Sequence, residues 1–84
     1  MNSAIEMTNE NHLYLSDLGL VAALSLTFFH EIKQGEKKKV FFVFENSPAI
    51  QEAINQYWNG NLSVDAKTYS EQIKSIKSRI YQTQ

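Results

Sequence analysis

Apolar positions along the chain switch between a period of two and a period near 3.6, and each switch marks an element. From His12 to Ser16, Leu13 and Leu15 alternate with Tyr14, the pattern of a short half-buried strand. Ser16 and Asp17 follow, with short oxygen-bearing side chains that suit a helix start. Leu20, Val21, Leu24 and Phe28 then fall on one helical stripe, predicting a helix to about Phe28. Leu18, Ala22, Ala23 and Leu26 leave that helix almost no polar face, so it is either covered on two sides or part of a self-association surface. Phe29 to Lys33 alternates again, Gln34-Gly35-Glu36-Lys37 supplies the glycine a tight turn wants, and Lys38 to Glu45 is the strongest strand signal, predicting a hairpin. Its pleat puts Lys38, Val40, Phe42 and Phe44 on the core face and Lys39, Phe41, Val43 and Glu45 on the other.

Ser47 before Pro48 opens the next helix, because the hydroxyl caps the first turn and proline loses no hydrogen bond at the first helical position. Ile50, Ala53, Ile54, Tyr57 and Trp58 form its stripe, and Gly60 is placed to end it in a left-handed conformation. Trp58 is expected to be the largest core contributor, and Trp58→Ala to unfold the domain. Leu62 to Val64 reads as one more short strand. Asp65 caps a last helix bearing Ala66, Tyr69, Ile73, Ile76 and Ile80, two heptads, which is too few for a stable coiled coil and suits a helix docked on its own sheet. Residues 1 to 11 are polar and aperiodic and read as a flexible tail, leaving 12 to 84 as a single domain. The fold class is α+β, in the order β-α-β-β-α-(β)-α. An antiparallel sheet of three or four strands is packed by the second and third helices, with the first bridging to them.

A chain of 84 residues has room for one core, and its 43% hydrophobic and 12% aromatic content is enough to build it. There is no cysteine, so disulfides and thiolate zinc sites are excluded and a cytoplasmic location is the expectation. The uncharged run from Leu18 to Phe29 is too short to span a bilayer, so no membrane partner is expected. The net charge is −1, yet Lys33, Lys37, Lys38 and Lys39 cluster at the predicted turn, and Lys67, Lys74, Lys77 and Arg79 lie along the last helix. These clusters form one basic patch only if folding brings them together.

Chemistry is scarce. Gly19, Gly35 and Gly60 are isolated, so no glycine-rich phosphate loop exists and no cofactor is implied. His30 and Glu31 are neighbours in a predicted strand and point to opposite faces, which argues against a joint acid–base role. No serine sits in a nucleophile elbow. The reading is therefore non-enzymatic, with no catalytic, cofactor-binding or metal-ligating residue assigned. The strand KKKVFFVFE resembles a degenerate form of the central strand of RNA-recognition modules, with Lys37, Lys39 and Phe41 at the base-facing positions. Such modules place one cation and two aromatics there, so one stacking ring is missing, and Tyr14 is the only ring of the first strand.

Two binding functions follow. The first is contact with a protein partner or a second copy of the chain, through Leu18, Ala22, Leu26 and Phe29, prompted by the apolar first helix. The alternative is a single-stranded nucleic-acid module using Lys37, Lys38, Lys39, Phe41, Lys74, Lys77 and Arg79.

Ser16-Asp17 before an apolar helix, VFFVFE, Tyr57-Trp58-Asn59-Gly60, Val64-Asp65-Ala66-Lys67 and the closing Lys77-Ser78-Arg79-Ile80-Tyr81 together resemble a family of short prokaryotic and phage-associated proteins known as a domain of unknown function. The resemblance spans roughly Leu13 to Tyr81. It implies a compact α+β unit with an accessory or regulatory binding role and brings no catalytic residues. Where such sequences often have a glycine after the first helix this chain has Thr27-Phe28-Phe29, which leaves that helix end unfixed.

Overall fold

The structure, a computed structural model, describes residues 5–8, 11–35 and 39–83, with only the backbone course given for 5–8 and 83. Four strands and three helices follow one another as β1 (Ile5–Thr8), β2 (His12–Leu15), α1 (Leu18–Leu24), β3 (His30–Gln34), β4 (Val40–Glu45), α2 (Pro48–Trp58) and α3 (Ala66–Thr83). The sheet is antiparallel in the order β1-β2-β4-β3, so the two strands carrying Tyr14 and Phe41 lie side by side at its centre. The α+β class, the β3–β4 hairpin and all three helices agree with the sequence pattern. Glu36, Lys37 and Lys38 of the turn lie outside the described residues.

The strand inventory differs at two places, Ile5–Thr8 and Leu62–Val64. Ile5–Thr8, inside the stretch read as a tail, is an edge strand paired with β2, with a register shift between Ile5 and Met7. A four-residue strand on a sheet edge takes its order from its neighbour's backbone, and four residues are too few for a period to show. Residues 1–4, 9 and 10 of that stretch lie outside the described residues. Leu62–Val64, read as a strand, joins no sheet and is part of the link from α2 to α3.

One pleat face of the sheet, made by Leu13, Leu15, Val40, Phe42 and Phe44, packs against Leu20, Val21 and Leu24 of α1, Ile50 and Ile54 of α2, and Ile76 of α3. All three helices therefore sit on the same side. α1 lies against both α2 and α3, and its Leu20, Val21, Ala22, Ala23 and Leu24 are all buried. That covering on every side is why this helix needs no polar face. It also ends earlier than expected, at Leu24: the Ser25 hydroxyl donates to the Ala22 carbonyl at 2.9 Å, and the Gln72 amide donates to that same Ser25 oxygen at 2.8 Å.

The helix starts are built as the sequence implies. Asp17 accepts from the Leu20 amide at 2.9 Å, Ser47 from the Ile50 amide at 3.2 Å with Pro48 next in line, and Asp65 from the amide and hydroxyl of Thr68 at 2.9 and 2.8 Å. Gly60 closes α2 at φ 76°, and an added Cβ there would meet nothing within 4 Å. Gly60→Ala is thus a test of backbone strain alone, expected to cost about 1–2 kcal/mol in a urea melt with no change in near-ultraviolet circular dichroism.

Two expectations about burial are corrected. Trp58, at the last position of α2, is 41% exposed and rests edge-on against Tyr57 with ring centres 4.9 Å apart, so it is not the main core residue. Phe42 and Phe44, at 1% and 0%, hold that place. Ala66, on the predicted stripe of α3, is exposed, while Ile76 is fully buried.

Candidate nucleic-acid interface

With every helix on one side, the opposite face of the sheet carries no helix among the described residues. Strand register arranges it in rows: His12 beside Glu45, then Tyr14, Val43 and Glu31, then Phe41 and Lys33, with Lys39 beyond. The rows differ in chemistry. The end near the hairpin turn is cationic and aromatic, and the end near His12 is acidic.

At the cationic end the rings of Tyr14 and Phe41, both half-buried, meet edge to face with centres 6.3 Å apart. The Lys39 ammonium stands 5.2 Å from the centre of the Phe41 ring. The Lys33 ammonium stands 6.0 Å from the Tyr14 ring, and because β4 lies between β3 and β2 its side chain reaches across β4 to get there. Val43, with Tyr14 and Glu31 in register on either side, is only 5% exposed on this helix-free face. Phe41 also lies over Gly35: a Cβ on that glycine would come within 2.7 Å of the ring, so the glycine lets the ring lie flat at the end of the hairpin.

At the acidic end a cavity of about 370 Å³ is lined by His12, Thr27, Phe28, Phe29, Glu31, Val43, Glu45 and Ser47. Phe29, at the mouth, is 84% exposed.

The predicted contact residues are only partly united. Lys39 and Phe41 share the face, joined by Tyr14 and Lys33, which the sequence reading left out. Lys37 and Lys38 lie outside the described residues. Lys74 and Lys77 are exposed on α3, on the far side of the sheet, so among the described residues they do not join Lys33 and Lys39 in one patch. Arg79 turns inward: its guanidinium donates to His30 Nε2 at 2.7 Å. An arginine can only donate, so His30 accepts through Nε2 and is neutral with its proton on Nδ1. His30 packs between Phe42 and Phe44, with ring centres at 5.5 and 5.3 Å, and that burial, followed by the positive Arg79, holds its pKa below the ordinary 6.5.

A pH dependence follows from this geometry. The unfolded chain binds a proton on His30 at a higher pH than the folded one, so its contribution is present above about 6.5 and is lost as pH falls through the depressed folded value. Urea midpoints should therefore be level at neutral pH and drop on acidification, and His30→Phe should remove that part of the slope. A slope unchanged in the variant would place its origin elsewhere.

Among the protein-contact residues, Ala22 is 0% exposed and cannot touch a partner, because α3 and α2 already cover its helix. Leu18 packs against the core and is half-buried, Leu26 is half-buried, and Phe29 alone stands free of the surface.

The family model for DUF5659, a domain of unknown function, matches residues 10–82. The chain belongs to the DUF5659 family. No curated protein and no solved structure matches it. Two motifs that carried the family resemblance, around Tyr57 to Gly60 and at Val64, meet in this DUF5659 domain at a second cavity of about 210 Å³, lined by Ala23, Tyr57, Gly60, Leu62, Val64 and Tyr69. The Tyr69 hydroxyl, also in this lining, donates to the Gly19 carbonyl at 3.1 Å and ties α3 to the start of α1. No group of three or more His, Cys, Asp or Glu side chains that could hold a metal occurs among the described residues of the domain, and no described helix is long and apolar enough to cross a membrane.

Proposed function

We propose that this DUF5659 chain is a non-enzymatic, cytoplasmic accessory module that holds single-stranded nucleic acid on the helix-free face of its sheet. Tyr14 and Phe41 are the stacking rings and Lys33 and Lys39 the phosphate contacts. The observation that supports it best is the pairing of two half-exposed rings on the two central strands, each with a lysine ammonium within about 6 Å. A flat sheet offering adjacent rings and cations suits splayed bases and a passing backbone, because stacking needs only a π-face and phosphates need only positive charge. The ring that the strand KKKVFFVFE lacks is supplied from the neighbouring strand by Tyr14.

The competing reading, a protein interface through α1, was prompted by the apolar faces of that helix, and those faces are occupied within the chain. The net charge of −1 and the acids at the other end of the sheet call for modest affinity and few phosphate contacts.

The test is fluorescence anisotropy of a labelled oligothymidine with the intact chain at low and moderate salt. Neutralising two or three phosphates predicts roughly a tenfold loss between 50 and 200 mM salt. Binding that holds or strengthens with salt would point instead to an apolar protein-type contact, and no binding at low salt would end the proposal.

A further inference from the structure

The cavity beside the rings lies on the same sheet face and has a chemistry of its own. Val43, Phe28 and Phe29 line it together with His12 and two acidic residues, Glu31 and Glu45, and the lining has no lysine or arginine. Val43 is two residues along β4 from Phe41 and points the same way, so the cavity begins about 7 Å from the stacking platform. A strand laid across Tyr14 and Phe41 reaches it with its next nucleotide.

We infer that this cavity is a base-reading pocket that takes guanine from a single strand bound on the neighbouring rings. The inference rests on the reading of those rings as a nucleic-acid platform. Its volume of about 370 Å³, in a cleft open to solvent, is large enough to seat one base. The carboxylates decide which base. A carboxylate is acceptor-only and takes two parallel N–H bonds, and guanine presents two adjacent donors, N1–H and the N2 amine, on one edge. Thymine offers a single N3–H flanked by two carbonyl oxygens, which face a carboxylate unfavourably. The exposed ring of Phe29 is placed to stack on the seated base while the strand's phosphates stay toward Lys33 and Lys39, away from the acids.

The experiment compares two labelled oligonucleotides, an all-thymidine tract and the same tract with one central guanine, against the full chain and against Glu31→Gln/Glu45→Gln. Both glutamates are exposed, so the double variant is expected to fold. The guanine tract should bind about tenfold more tightly to the unaltered chain, the worth of one good bidentate contact. In the double variant that preference should vanish while binding to the thymidine tract persists. Equal affinity for the two tracts, or a preference that survives the double substitution, overturns the pocket and leaves the ring platform standing. Failure of both tracts to bind at low salt overturns both.

Discussion

Phe42→Ala is expected to lower the melting temperature by roughly 15–30 °C and leave much of the chain unfolded at 37 °C. The ring is 1% exposed at the centre of the sheet's core face, paired in register with Leu15 on β2 and Ile32 on β3. Removing a buried phenylalanine costs about 3–5 kcal/mol once the cavity is counted, against a total of about 4–12 kcal/mol for a domain of this length. Each kcal/mol moves the midpoint of such a domain by about 4–8 °C. Trp58→Ala is the informative companion. Composition singles out the tryptophan as the residue the fold cannot lose, yet at 41% exposed at the end of α2, with its ring edge-on to Tyr57, it should cost only about 1–2 kcal/mol. Thermal circular dichroism of the two variants side by side checks the order, and a larger loss in Trp58→Ala would refute this account of the core.

The contrast between Phe42 and Trp58 marks where sequence reasoning stops. Features set within a few residues were legible: the Ser47-Pro48 start, the Gly60 stop, the Asp65 cap, and the alternation that puts Val40, Phe42 and Phe44 inward. Trp58 fits the same helical stripe as Ile50 and Ile54, but it is the last residue of α2, and a stripe records which side a residue is on rather than how far the neighbouring helix extends to cover it. Ala22 failed in the opposite sense. An all-apolar helix reads identically whether its second side meets a partner or another part of its own chain, and here α2 and α3 cover it. The strand Ile5–Thr8 depends on pairing with β2, so nothing local announces it.

The candidate interface was half legible for the same reason. Lys39 and Phe41 are read from one alternating strand. Tyr14 enters only because β2 pairs with β4 and sets it opposite Val43, and Lys33 only because its stem spans the strand between. Arg79 was assigned to the surface because a cation on an amphipathic helix usually is solvated, whereas the acceptor that draws it inward, His30, lies 49 residues away in sequence.

Phe41→Ala is expected to weaken binding to single-stranded oligonucleotides by about 5- to 150-fold, the loss of one stacked base at about 1–3 kcal/mol. Tyr14→Ala should fall in the same range. Because the two rings touch at 6.3 Å between centres, each also fixes the other's tilt, so the double variant should lose less than the two single losses combined. Lys39→Glu tests the charge independently: reversing it should lower affinity and flatten the salt dependence, since one fewer counterion is released on binding. The alternative role for Phe41 is to cover Gly35 at the hairpin, where a ring laid against a strand glycine contributes to stability. The two roles separate in Phe41→Leu, which keeps an apolar cover over the glycine and removes the π-face. If Phe41→Leu melts close to the unaltered chain and still loses oligonucleotide affinity, the ring is a stacking surface. If it restores both, Phe41 is a structural lid and the strand is not held on this face.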